Sequence, residues 1–324
     1  MYTFNELLGT VERGLAGIGY PTEPGGLYEP IAYSLGEGGK RIRPVALLMA
    51  CNLFSDTVDE AVPAALAVEM FHNFTLLHDD IMDRSDMRRG KPSVHTKWND
   101  NVAILSGDAM MILAYRLLCQ SPAGALPRLL GVFNDVAVGV CEGQQYDMDF
   151  ERTESVTEDR YLRMIELKTA VLLAGALKLG AICGGASDAD SDGLYRFGIG
   201  VGLAFQLQDD LFDTYGDTVV FGKPIGGDIL AGKKTYLLTL ALREADAPTR
   251  RRLLGLLREQ NMPCSEKIAS VRAIYDSLGV REQTEQAVSD YFDRAERELS
   301  ALDVPAVRLE SLRELDRLLL KRKK

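Results

Sequence analysis

The chain has no run of about 20 uncharged apolar residues, the length a helix needs to cross the hydrocarbon of a bilayer. A membrane span is therefore not expected. The first residues, MYTFNELLGTVERG, lack both a basic start and an apolar centre. They read as an amphipathic helix, not as a secretory signal. The five cysteines, Cys51, Cys119, Cys141, Cys183 and Cys264, are odd in number and show no metal-type spacing. Reduced thiols in a cytoplasm are the simple account of such a set. Positive charge is in deficit: 47 Asp and Glu against 37 Lys and Arg give a net charge of −10. Nucleic acid is not an expected partner for such a chain. Strand-like alternation is scarce, no Ser/Pro-rich linker divides the chain, and no solenoid-length repeat is present.

What remains is helical. Apolar residues recur at three- and four-residue steps in Val45–Phe54, Ala61–Leu77, Val102–Leu118, Tyr161–Leu179, Gly193–Phe212, Lys234–Arg243 and Ile268–Leu278, the pattern of amphipathic helices. Turn signals such as Pro24-Gly25-Gly26 and Gly184-Gly185 fall between them. The 324 residues, 46% of them hydrophobic, can bury a large core. The expected architecture is all-α, a single helical-bundle domain over residues 1–324 with a central cavity between its helices.

The acidic residues are not spread evenly. An apolar run leads straight into Asp79-Asp80, and Asp83 follows. On a helix Asp79 and Asp83 share a face one turn apart. Their repulsion, and the negative end of the helix dipole, argue against leaving both there without a cation. Mg²⁺ is a natural one, because it binds through one or two carboxylates plus substrate phosphate oxygens. A solvated helix end would carry the same spacing. A second copy changes the balance: Ile199–Phe205 leads into Gln206, Asp209, Asp210 and Asp213 on neighbouring positions of one face. Two such motifs predict a cavity with facing acidic walls that holds a diphosphate through metal ions.

Basic residues cluster near these motifs. Gly36–Pro44 (GEGGKRIRP) is a small basic loop entering a helix; its glycines allow a close approach to an anion, and Lys40 and Arg43 supply charge. His72 lies seven residues before Asp79, on the same face. Arg88 and Arg89 follow the first motif; guanidinium groups match phosphate oxygens, and consecutive side chains diverge enough to serve two anions. Lys168-Thr169 interrupts the apolar run Met164–Leu179, which a snorkelling lysine also explains. Lys223 and Lys233 lie in Gly-rich loops past the second motif. Gln144, Gln145, Asp147 and Asp149 form a polar cluster with no assigned role, and Asp217 and Asp228 are left outside the core set.

Taken together, GGKRIRP (Gly38–Pro44), LLHDDIMD (Leu76–Asp83), RRGKPSVH (Arg88–His95), LKT (Leu167–Thr169), FQLQDDLFD (Phe205–Asp213) and the later GKP and GKKT resemble the trans-isoprenyl diphosphate synthases, the polyprenyl synthetase family, of the short-chain farnesyl/geranylgeranyl type. The motifs run in the family order over most of the chain. One habit is missing: Ala231 precedes Gly232 where an acidic residue is common.

The resemblance implies a prenyltransferase that condenses isopentenyl diphosphate with an allylic diphosphate (dimethylallyl, geranyl or farnesyl) by ionisation, condensation and elimination. It implies three Mg²⁺ ions per active site, with Mn²⁺ as an alternative. Asp79, Asp83 and Asp209 would hold them, with Asp80, Asp210 and Asp213 as further ligands or support. Lys40, Arg43, His72 and Arg89 would bind isopentenyl diphosphate. Arg88, Lys168, Thr169, Gln206, Lys223 and Lys233 would bind the allylic diphosphate. No dedicated base stands out, and in the family the departing diphosphate takes the proton. Phe74 and Thr75, five and four residues before Asp79, would set product length, and an aromatic followed by a small residue resembles C20 synthases, with C15 close behind. A helical wheel supports Thr75 and turns Phe74 aside. A homodimer is the family habit. The basic tail Lys321–Lys324 either covers the diphosphates or is disordered. The rival readings are a terpene cyclase, a silent subunit of a heteromeric synthase, and a non-enzymatic acidic metal binder. The full second DDxxD and the Lys40, Arg43 and His72 set weigh against a cyclase, the two complete acidic sets against a silent subunit, and Arg88-Arg89 with the two loop lysines against a metal binder.

Overall fold

A computed structural model describes residues 1–153, 155–216 and 225–320. Lys223, Asp217 and the tail Lys321–Lys324 lie outside the described residues. In order the helices are α1 (Phe4–Ala16), α2 (Gly25–Gly36), α3 (Ile42–Phe54), α4 (Val62–Met82), α5 (Val94–Lys97), α6 (Asp100–Leu118), α7 (Leu126–Arg152), α8 (Glu158–Ile165), α9 (Val171–Cys183), α10 (Asp188–Tyr215), α11 (Gly227–Ala231), α12 (Tyr236–Glu244), α13 (Ala247–Arg258), α14 (Cys264–Ser277), α15 (Val280–Ser300) and α16 (Ala306–Leu320). Among the described residues the only strands are β1 (Met87–Arg88) and β2 (Lys91–Pro92). The protein is all-α, as the periodicity predicts. The expected helix over Tyr161–Leu179 is broken by a π-turn at Glu166–Ala170.

The chain divides into two compact units. The first comprises Met1–Asp135, Gly175–Tyr195 and Leu302–Leu315, and the second Val136–Ala174, Arg196–Ala301 and Asp316–Lys324. The boundary falls inside α7, α9, α10 and α16.

In the first unit α4 is flanked by α3 and α6. Ala64, Ala65 and Ala67 keep α4 slim, and with Leu66, Val68, Met70 and Phe71 they are buried, so this stretch is enclosed all round. Each large apolar side chain here, such as Leu47, Met70 or Phe133, contributes about 1.5–3 kcal/mol on leaving water. α1 is started by a capping box, in which the Thr3 side chain accepts from the Glu6 amide and Glu6 returns a bond to Thr3. α6 is started by the Asn99 side chain. By length and composition α6 alone among the described helices is apolar enough to cross a membrane (mean hydropathy 1.3). Counting only uncharged runs misses it, because it carries Asp100, Asp108 and Arg116. It packs along α4 within the first unit.

The second unit has its own core of Tyr161, Leu203, Leu207, Leu237, Leu253, Val271 and Tyr275, drawn from α8, α10, α12, α13 and α14.

Candidate active site

The acidic end of α4 belongs to the first unit. A proline in its first turn suits the start of the helix. At the other end the Asp83 amide donates to the Asp79 carbonyl (2.8 Å), so the two aspartates stand one turn apart, as the spacing predicts. Asp79 is half-buried and Asp83 exposed. Asp80 is buried, and both its oxygens accept from Arg88, from Nε and from Nη2, each at 2.7 Å. This fork is a bidentate guanidinium–carboxylate pair. Burial lowers the Arg88 pKa, but the bond to Asp80 and its charge outweigh this and leave it raised.

Arg88 and Arg89 part company because they belong to a hairpin. Arg88 lies on β1, opposite Lys91 on β2. Arg89 and Gly90 form the connection, with φ of 52° and 77°, the positive values a two-residue hairpin loop favours. Arg89 then donates through Nη1 to the Gly38 carbonyl in the basic loop. A Cβ at Gly39, whose φ is 134°, would lie 2.8 Å from that guanidinium, so only glycine permits this approach.

His72 meets Arg43: Nη1 of Arg43 lies 3.1 Å from Nε2 of His72. A guanidinium can only donate, so Nε2 accepts and His72 is neutral. Burial first, and then the charges of Arg43, Arg89 and Arg88, hold the imidazole well below its usual pKa. The buried Nε of Arg43 has no hydrogen-bond partner among the described residues, so a donor is left over for an anion. Lys40 is exposed on the same loop. Phe74 is buried, with its ring 4.8 Å from that of His78 and 5.4 Å from that of Phe71. Thr75 is half-buried and bonds to the His72 carbonyl (2.8 Å).

The second acidic motif is built within the second unit, near the end of α10. Asp210 is buried and accepts from the Tyr161 hydroxyl (2.5 Å), the Tyr236 amide (3.2 Å) and Gln206 Nε2 (3.3 Å). Burial pushes its pKa up to about 7, although the Tyr161 bond opposes the rise. Thr169 donates to Gln206 (3.4 Å), so Thr169, Gln206 and Asp210 form one chain. The π-turn carries Lys168 to Asp147 (2.6 Å). Single π-turns inside helices are frequent at functional sites. Gly143 makes room for it: a Cβ there would come within 2.2 Å of the Lys168 amide nitrogen. Asp209 and Asp213 are half-buried. Asp213 accepts from the Asp228 amide (2.9 Å) at the start of α11. Lys233 approaches Asp228 at 3.9 Å. Burial, and then the Asp213 charge, raise Asp228 to about 6.

Sequence reasoning missed Tyr161, Asp147, Arg41, Glu69 and Asn73 as supports for these groups, and it left Asp228 outside the core set. Glu69 carried a usable signal, because a carboxylate inside the apolar run of α4 requires a buried partner. Among the described residues no three His, Cys, Asp or Glu side chains converge as a metal cage. The aspartate pairs instead suit a cation whose shell is completed by ligand oxygens.

Residues 25–277 match the family model described as Polyprenyl synthetase. That is most of the chain. The protein belongs to the polyprenyl synthetase family. A crystal structure of a geranylgeranyl pyrophosphate synthase aligns over 100% of both chains, with a TM-score of 0.95 and 41% identity. The geranylgeranyl diphosphate synthase of Methanosarcina mazei is 43% identical over 226 residues, 69% of each chain. The geranylfarnesyl diphosphate synthase of Aeropyrum pernix is 37% identical over 290 residues, 87% of this chain and 89% of that protein. This polyprenyl synthetase is thus a prenyltransferase of isoprenoid biosynthesis, of short-to-medium chain type.

Proposed function

We propose that the protein condenses isopentenyl diphosphate with an allylic diphosphate to give geranylgeranyl diphosphate, C20, acting over its whole length as one catalytic domain. The observation that carries this reading is the pair of matched acidic helix ends, each with basic side chains close by, Arg88 at the first and Lys168 and Lys233 at the second. In this reading Asp79 and Asp83 on α4, and Asp209 and Asp213 on α10, hold three Mg²⁺ ions, with Mn²⁺ able to replace them. When bound, the metal supplies Lewis-acid stabilisation of the leaving diphosphate.

The chain's own groups do the rest. Arg88, Lys168 and Lys233 place fixed positive charge where negative charge grows on the allylic diphosphate, with Thr169 and Gln206 as hydrogen-bonding partners. Asp80 orients Arg88, and Asp210 orients Gln206. Arg43, with its unused Nε, joins Lys40, His72 and Arg89 in holding isopentenyl diphosphate. Neutral His72 tolerates its crowd of arginines and offers a ring N–H. Phe74, set edge-on to His78 and tilted against Phe71, is the apolar stop for the growing chain, and such a wall keeps water from the allylic cation.

The Aeropyrum relative favours a second product, geranylfarnesyl diphosphate at C25. The assay supplies Mg²⁺, labelled isopentenyl diphosphate and dimethylallyl, geranyl or farnesyl diphosphate, and sizes the products. A C20 product meets the proposal, and C15 or C25 corrects its length. Cyclised hydrocarbon, or no consumption of isopentenyl diphosphate, overturns it in favour of a cyclase or a silent subunit. The five free thiols fit a reducing cytoplasm. The exposed apolar side chains Ile104, Leu105 and Ile112 on α6 suit a homodimer. Light scattering should give twice the chain mass, and Ile112→Glu should lower it.

A further inference from the structure

Arg41 lies between two residues of the proposed isopentenyl diphosphate site, Lys40 and Arg43, yet it faces the interior. Its side chain is 1% exposed. Its Nε donates to Glu12 (2.9 Å), Nη1 to Glu69 (2.6 Å) and Nη2 to the Leu35 carbonyl (2.6 Å). The same Glu69 oxygen accepts from Asn73 Nδ2 (3.0 Å), which also bonds the Glu69 carbonyl (2.8 Å). Asn73 adjoins His72, the partner of Arg43.

Two further features make this network unusual. First, the Arg41 backbone is left-handed, with φ of 47°, a conformation that costs a non-glycine residue energy and persists only where its surroundings enforce it. Arg41 is also the residue that precedes the first turn of α3, so its conformation sets the direction in which the loop enters that helix. Second, an ion pair this deeply buried is a poor device for stability alone, since apolar residues of the same volume serve as well. Glu69 has a wider electrostatic reach. Its charge opposes the fall in pKa of both Arg43 and Arg89, so it acts as a standing counter-ion for a crowd of guanidinium groups.

We propose that Arg41, gripped by Glu69 and Glu12, is the positioning residue of the basic loop: it fixes the left-handed turn that presents Lys40 and Arg43 to the diphosphate of the isopentenyl substrate. This rests on the reading of Lys40, Arg43, His72 and Arg89 as that site. Arg41 itself makes no contact with substrate in this account. Its signature is accordingly a selective loss of affinity for one of two substrates, which a general loss of stability does not produce.

The test is steady-state kinetics on the full chain, varying each substrate at saturating levels of the other. Glu69→Gln keeps the shape and removes the charge, and Arg41→Lys keeps the charge and removes the fork. Both should raise KM for isopentenyl diphosphate about tenfold or more and KM for the allylic diphosphate less than about twofold, with kcat changing less than KM. Glu12→Ala, at the partly exposed partner, should raise the same KM by about two- to threefold. Equal rises for both substrates, or a fall in kcat at constant KM, overturn the positioning role. If the two buried variants fail to fold by circular dichroism, Glu12→Ala decides, and an unchanged KM there overturns the proposal. A wild-type chain that consumes no isopentenyl diphosphate overturns the functional reading itself. A working wild type whose folded variants keep its KM overturns the role of Arg41 alone.

Discussion

Asp80 and Asp210 hold the same place in two copies of one motif, and both are buried. Their partners differ. Asp80 is forked by a guanidinium brought by a hairpin from just beyond the motif. Asp210 is held by a phenol, an amide N–H and a glutamine, none of them charged. The first arrangement cancels a charge and carries a cation to the acidic end. The second leaves burial to dominate, which is why the Asp210 carboxyl rises to about 7. The comparison teaches that the middle aspartate in each motif is buried and organises its neighbours.

The sharpest way to break this comparison is Arg88→Ala. It leaves Asp80 buried without its counter-ion, a situation that costs about 3–5 kcal/mol when one partner of a buried pair is removed. Urea unfolding should show a loss of that order, and if Arg88 holds the leaving diphosphate as proposed, turnover should fall about a hundredfold or more.

Phe74→Ala comes next. The residue five before Asp79 is Phe74, whereas the one five before Asp209 is Ala204, so on the proposed reading the stop for the growing chain is sought at the first helix. The variant should lengthen the product by at least one C5 unit, read by chromatography of the hydrolysed products. An unchanged length profile removes Phe74 as the stop.

Tyr161→Phe is the mildest. It deletes one hydrogen bond to Asp210, worth about 1–3 kcal/mol where the remaining group stays buried. The pH dependence has a definite sign. A carboxyl raised in the folded state keeps its proton between the unfolded value and about 7. Its folded form therefore gains relative stability as pH falls through that window and loses it as pH rises. The Tyr161 bond favours the carboxylate, so thermal melts in chelator should show a larger defect for Tyr161→Phe at pH 8 than at pH 5.

Local patterns made some of this legible. The one-turn spacing of Asp79 and Asp83 and the divergence of Arg88 and Arg89 follow from motif and helix geometry, and the closeness of Gln206 to Thr169 from the family resemblance alone. The supports did not. Tyr161 and Asp210 are 49 residues apart, and Arg41 and Glu69 are 28 apart. Their pairing depends on how helices pack, which no short window records. The π-turn at Glu166–Ala170 was hidden for the same reason: it answers to the close approach of α7 at Gly143, and the run Tyr161–Leu179 reads as one helix without it. The ring of Phe74 meets those of Phe71 and His78, three and four residues away, at interplanar angles of 55° and 68°. In α7 the buried Leu129, Phe133, Val136, Ala137 and Val140 recur at three- and four-residue steps, a stripe absent from the periodic runs read in the sequence.

The most direct measurement is turnover of Asp79→Ala and Asp209→Ala with Mg²⁺, isopentenyl diphosphate and an allylic diphosphate, beside circular dichroism of the same samples. If both acidic helix ends serve one ionisation step, each variant loses about a thousandfold or more in kcat while its helical signal persists. A folded variant of either kind that turns over within about tenfold of wild type contradicts the account.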